Sequence, residues 1–315
     1  MKKNFALSET LRTFRKNRKI RSNQLANSPT RFSNIETNGD LRFSEWIEYL
    51  EKVELTPEEF IAFYKHHEKQ KNPLHEIEHL LKNAYSDPEF IYNQRKIVEY
   101  FDILNNKKSK STAEFCIYVE IKIYFCDKYE EIPPLDYQDY KTFYELFSQK
   151  IKTQEFYTYY DYRLFSNIVF ELPIIELSKT ENIFQILFPI KHSLKRDPHT
   201  LYSAYLAYPN FITRLLYEKK YEKAQSYLNQ TKQIAIPKDQ YFIHLQLNYL
   251  QALLEYLTNK TGSTYKQLEN IINSVNFYGY KELSQQMTKE VDLLTAEIHV
   301  PTSGDYPKFA MKTLD

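Results

Sequence analysis

Apolar residues near the start of the chain recur at the helical period. Phe5, Leu7, Leu11, Phe14 and Ile20 fall on one face of a helix, with arginine and lysine on the other. A short second segment, Ser22 to Asn27, carries Leu25 and Ala26 inward. Ser28-Pro29 reads as an N-cap serine followed by proline at the first helical position, where the missing N–H removes no hydrogen bond. The third helix is therefore expected from Pro29 to about Glu36, burying Phe32 and Ile35 and ending near Asn38-Gly39. A fourth is expected from Ser44, burying Trp46 or Ile47 with Leu50. Thr56-Pro57-Glu58-Glu59 opens a fifth, with an N-cap, a proline at N1 and a glutamate at N3. Five short helices with the second and third tightly joined predict a helix-turn-helix domain of the Cro type over residues 1–70.

Beyond Lys71-Asn72-Pro73 the pattern stays helical, with polar breaks at Asn105 to Ser111, Ile132-Pro133-Pro134, Leu172-Pro173, Asp197-Pro198, Tyr208-Pro209-Asn210, Ile236-Pro237 and Asn259 to Ser263. Intervals of roughly 25 to 40 residues are those of helix-pair repeats. The stretch Leu216 to Lys232 looks like half of a tetratricopeptide-type repeat, and its small Ala224 lets two helices approach closely. Stacks of this kind are curved, and the concave face binds extended peptides or partner segments. The expected architecture is all-α: the helix-turn-helix domain, a TPR-like repeat domain for peptide binding and dimerisation over residues 71–300, and a C-terminal tail over 301–315.

Composition narrows the function classes. The chain has only 4 glycines against 28 tyrosines and 21 phenylalanines, which argues against glycine-lined phosphate loops and a dinucleotide-binding crossover. Cys116 and Cys126, ten positions apart, would lie roughly 15 Å apart on one helix, too far for a disulfide. That pair, with no charged-then-apolar leader and no run long enough to cross a bilayer, points to the cytoplasm and no membrane partner. Net charge is +1, but its distribution is uneven. From Met1 to Arg31 the basic residues face a single acid, Glu9, whereas Phe32 to Gln70 is mainly acidic. A basic face backed by an acidic one suits an oriented domain on DNA phosphates, and equally suits a solvated basic N-terminus.

In helix-turn-helix geometry the exposed positions of the third helix enter the major groove. Those positions are Thr30, Arg31, Ser33 and Asn34, where arginine can read guanine and asparagine adenine. Arg15, Lys16, Lys19 and Arg21 are expected to contact phosphates, which position the domain without reading sequence. The strings Ser28 to Glu36, Leu41 to Leu50 and Leu55-Thr56-Pro57-Glu58-Glu59-Phe60 resemble the DNA-binding domain of Rgg/GadR/MutR regulators, which group with the PrgX-like peptide-pheromone receptors. Two features depart from that pattern: the family commonly has glutamine at the place of Arg31 and arginine at that of Asn34, and the turn before Ser28 is short and lacks the usual glycine.

The resemblance continues more loosely through Tyr162 to Asn167 with Leu172-Pro173, and through His244 to Leu257. It implies a homodimeric transcriptional regulator, acting on double-stranded promoter DNA and controlled by a short signalling peptide held in the repeat domain, as in quorum sensing. Amide side chains can satisfy donor and acceptor groups of an extended peptide at once. On that ground Asn167, Asn210 and Asn248, with Arg163 and Arg214 near them, are candidates to line the groove, and a cap or inter-helix bond explains each equally well.

His75-Glu76-Ile77-Glu78-His79 matches the H-E-x-x-H pattern in which two histidines bind zinc and the glutamate activates water. No further histidine follows at the spacing of a third ligand, so a charged linker helix is the expected reading, with no metal and no cofactor. No serine, cysteine or lysine stands in a nucleophile motif, and an enzyme is not expected. The Tyr157 to Tyr162 run could stack bases, but its helical spacing fits core packing. Two alternatives stay open: a helix-turn-helix protein with a zinc protease site at His75 to His79, and a repeat-domain interaction protein whose helix-turn-helix no longer binds DNA.

Overall fold

Every element among the described residues is helical, as the apolar periodicity requires, and no strand occurs among them. The computed structural model describes residues 5–25, 29–67, 76–81, 91–154, 156–234 and 236–296. The chain divides into two compact units, Met1–Glu76 and Ile77–Asp315.

The first unit contains α1 (Phe5–Asn17), α2 (Ser22–Leu25), α3 (Pro29–Asn38), α4 (Phe43–Val53) and α5 (Pro57–His67). Leu11 and Phe14 of α1 meet Leu25, Ile35, Tyr49, Leu50, Val53 and Phe60 in one core. Each such side chain contributes about 1.5–3 kcal/mol when fully buried. The Tyr49 hydroxyl donates to the Leu11 carbonyl at 2.7 Å, which satisfies its one polar atom inside that core. Trp46, rather than Ile47, packs against the cluster, and Ile47 is exposed. α4 starts one residue before the expected Ser44 because Glu45 Oε2 accepts the Arg42 backbone N–H at 2.9 Å and closes the turn earlier. Thr56 caps α5 as expected, its Oγ1 accepting the Glu59 N–H at 3.2 Å. α3 ends at Gly39, whose N–H closes the last turn on the Ile35 carbonyl at 2.8 Å and whose φ of 65° then turns the chain out of the helix. Ala26 and the side chain of Phe32 lie outside the described residues.

Residues 76–81 form a short helix, α6. The second unit continues with α7 (Ile91–Asn105), α8 (Thr112–Phe125), α9 (Tyr137–Thr153), α10 (Tyr159–Ile168), α11 (Leu177–Leu187), α12 (Pro198–Tyr205), α13 (Ala207–Tyr217), α14 (Tyr221–Thr231), α15 (Tyr241–Asn259), α16 (Gly262–Phe277) and α17 (Lys281–Thr295). α8 packs on α10, α10 on α12 and α13, α13 on α14 and α15, and α15 on α16. Contacts between near neighbours in the chain are what a helical repeat produces.

The predicted breaks fall between helices, with one shift. Pro209 sits in the first turn of α13, where proline is tolerated, and the break lies at Leu206. Asp197 caps α12 with Pro198 at its start. Ala224 is fully buried, as close packing of α13 and α14 needs. The aromatics form the thickest part of the core: the Phe184 ring lies 4.6 Å from Phe188, 4.8 Å from Tyr208, 5.3 Å from Phe211 and 5.0 Å from Tyr227, centroid to centroid. Tyr157 and Tyr162 of the tyrosine run are buried too, whereas Tyr159 and Tyr160 are half-buried and meet Arg163 and Glu78. Farther along, the Tyr249 hydroxyl donates to Glu290 Oε2 at 2.7 Å and joins α15 to α17 through a fully buried carboxyl. Both cysteines are free thiols. No helix among the described residues is long and apolar enough to cross a membrane.

Candidate functional site

α3 presents Thr30, Ser33 and Asn34 on its exposed face. Thr37 extends that face, although its hydroxyl turns back to the Ser33 carbonyl at 2.7 Å. The flanking cations Lys16, Lys19 and Arg21 are exposed as well. Lys19 sits in a left-handed turn with φ 55° just past α1. The Arg21 backbone N–H donates to Gln24 Oε1 at 2.8 Å, so its main chain starts α2 while the side chain stays in solvent.

The two remaining arginines of the expected interface are bound within the protein. Arg31 Nε and Nη2 donate to the two carboxylate oxygens of Glu45 at 2.9 and 2.8 Å, and Nη1 reaches Asp40 at 3.4 Å. This hydrogen bonding raises the Arg31 pKa. It also holds Glu45 down at about 2, with the Arg42 backbone N–H as the second cause. Arg15 grips Glu36 at 2.6 and 3.0 Å and donates to the Ile20 carbonyl at 3.3 Å, tying α1 to α3. The Glu36 hydrogen bond raises its pKa. Glu36 is buried, a role the sequence hid because its partner lies 21 positions away.

In the second unit Arg163 and Asn167 converge on one carboxylate. Arg163 binds both oxygens of Glu120 at 2.6 Å, donates to Glu78 of α6 at 2.7 Å and reaches the Tyr159 hydroxyl at 3.0 Å. The Asn167 amide also donates to Glu120. Burial opposes the charge on Arg163, but Glu120 overcomes it, and the pKa lies well above the ordinary value. Burial pushes the neighbouring Cys116 thiol up, which makes it inert. Asn210 is buried and donates to the Ser166 carbonyl at 2.8 Å, inside the α10–α13 contact. Arg214 pairs with Glu218 one turn on, at 2.9 Å. Arg163, Asn167 and Asn210 thus join one helix to another and Arg214 pairs along its own helix, whereas Asn248 is exposed on α15.

A cleft of about 780 Å³ lies among α12, α15, α16 and α17. Pro198, His199, Tyr202, Phe242, Leu245, Val275, Tyr278 and Leu283 are among the residues that line it. Its size and its aromatic lining with a few polar groups are those of a ligand site. Leu245 and Tyr241, which also lines the cleft, lie three and seven positions before Asn248, which places Asn248 on the extension of the same helical face. The ring of Tyr159 stacks on His199 with centroids 4.6 Å apart, so the Arg163 cluster adjoins the cleft wall. Sequence reasoning did not find this cleft, although Tyr241-Phe242 and Phe277-Tyr278-Gly279-Tyr280 marked aromatics at both helix ends that form it.

Of the H-E-x-x-H motif, His75 lies outside the described residues, Ile77 is buried, and Glu78 serves Arg163. No group of metal-ligating side chains occurs among the described residues.

No protein-family model matches the sequence, and no curated protein matches it. Solved structures do. A point mutant of PrgX superposes with a TM-score of 0.73 at 18% identity, over 94% of this chain and 97% of that one. This chain has the fold of PrgX. The PrgX/cCF10 complex gives 0.71 at 19% identity, covering 91% of this chain and 99% of PrgX. The SHP pheromone receptor Rgg2 of Streptococcus dysgalactiae gives 0.69 at 11% identity, over 91% and 100% of the two chains. The PrgX-like fold thus extends through both units, from the helix-turn-helix to the last repeats.

Proposed function

We propose that this protein is a cytoplasmic, homodimeric, DNA-binding transcriptional regulator controlled by a short peptide bound in the cleft of its repeat unit. The observation that carries the reading is the near full-length likeness to PrgX, solved in complex with cCF10, and to the pheromone receptor Rgg2. On DNA, Thr30, Arg31, Ser33 and Asn34 read base edges in the major groove, and Lys16, Lys19 and Arg21 meet phosphates. Arg15 acts indirectly, by holding α1 against α3 through Glu36.

The cleft suits a peptide that is mostly apolar. Phe242, Leu245, Val275 and Leu283 supply area, and tyrosine hydroxyls and the nearby Asn248 amide supply partners for its backbone. Arg163 adjoins this site through the Tyr159–His199 stack, and Asn167, Asn210 and Arg214 are not among its lining residues.

Calorimetry with a panel of short apolar peptides tests the ligand half, using wild type and Leu245→Glu. Micromolar binding by wild type, lost in Leu245→Glu while DNA binding is kept, is the expected result. Equal peptide binding by both proteins would remove the cleft from the account.

A further inference from the structure

Arg31 is the only cation on α3 and stands in its first turn, beside Thr30, Ser33 and Asn34. The first turn of such a helix approaches the bases, and an arginine fork fits guanine O6 and N7 bidentately. In the structure that fork is occupied by Glu45, with Asp40 on its remaining terminal nitrogen.

The arrangement can open. The side chain of Arg31 is 32% exposed, Glu45 27% and Asp40 49%, so the cluster lies at the solvent boundary. Ion pairs there are weak and screened. Glu45 is not stranded when Arg31 leaves, because its Oε2 keeps the Arg42 backbone N–H at 2.9 Å and it stays at the N-terminus of α4. Arg15 differs, since its partner Glu36 is buried and has no such second role.

We propose that Glu45 and Asp40 form a built-in acidic competitor for Arg31, which DNA must displace before Arg31 reads a base. This rests on the DNA-binding reading above. A bidentate acceptor on a guanine edge replaces the bidentate carboxylate in kind, whereas an isolated phosphate contact replaces it less well. Arg31 is therefore a specificity-determining residue held in reserve, released by the correct base pair.

The test is a set of anisotropy titrations of the full chain with a duplex from its own upstream region and a scrambled duplex. Glu45→Gln keeps the cap, because an amide oxygen also accepts the Arg42 N–H. It is expected to tighten binding about two- to fivefold, the range of a surface ion pair, with Asp40→Asn giving a smaller gain. The gain should vanish in an Arg31→Gln background, and Glu48→Gln, another acid of α4, should not reproduce it. Unchanged or weaker binding by both Glu45→Gln and Asp40→Asn overturns the proposal, as does an equal gain without Arg31. If wild type does not prefer the upstream duplex, the DNA-binding reading fails and this inference with it. Selective wild-type binding with no gain in either variant sinks the inference alone.

Discussion

Glu290 is a fully buried carboxyl between α15 and α17, and its replacement by glutamine should remove a pH dependence from the stability of the second unit. Burial raises its pKa from 4.5 to about 8, against the opposing hydrogen bonds of Tyr249 and Tyr217. The folded chain therefore binds a proton that the unfolded chain has released at neutral pH. Below pH 4.5 both states hold it and its stabilising contribution is complete; that contribution is lost as pH rises through about 8. At 1.36 kcal/mol per pKa unit, the full window is worth at most about 4–5 kcal/mol, or about 1.4 kcal/mol per pH unit within it. Glutamine keeps the acceptor for the Tyr249 hydroxyl and does not titrate. The assay is urea unfolding at several pH values from 5 to 8, followed by far-ultraviolet ellipticity. Most helices belong to the second unit, whereas the single tryptophan, Trp46, reports the first. The stability of Glu290→Gln relative to wild type should rise steadily with pH across that range. Parallel curves for the two proteins would refute the reasoning, because other titrating groups cancel in the difference.

Arg15→Ala should destabilise the first unit by about 1–2 kcal/mol, read from Trp46 fluorescence, since it strips the partner from the buried Glu36. A mere phosphate contact would leave that transition unmoved. Arg163→Leu leaves Glu120 buried without its charge partner and should cost about 3–5 kcal/mol in the second unit, measured by urea unfolding; a loss under 1 kcal/mol would deny the cluster a structural role. Lys19→Ala should weaken binding to all duplexes alike and flatten the logarithmic salt dependence by about one. A salt slope equal to wild type would take Lys19 off the DNA.

Most of the fold was legible because it rests on local signals. Thr56 capping α5, Pro198 opening α12 and Gly39 closing α3 are each written within a few residues, and the structure follows them. The apolar period found Leu11 and Phe14 of α1 in the core and Leu7 and Ile20 at its edge, but Phe5 is exposed, and Ala6, Ser8 and Thr10 are buried in its place. Side-chain pairing was not legible, because partners lie far apart in the chain. Arg15 and Glu36 are 21 positions apart, and Arg163 and Glu78 are 85 apart. An arginine on a basic helix looks free until the acid opposite it is placed. For the same reason Asn167 and Asn210, polar residues on apolar helices, belong to inter-helix bonds, while the cleft assembles from α12, α15, α16 and α17, which no short window joins.

The exposed face of α3 is proposed to read DNA sequence. The most direct test is the titration of wild type and Asn34→Ala against the upstream and scrambled duplexes at two salt concentrations. Wild type should prefer the upstream duplex and weaken steeply with salt, and Asn34→Ala should lose much of that preference while keeping the salt slope. Wild-type binding no better than to scrambled DNA, or full selectivity in Asn34→Ala, would contradict the account.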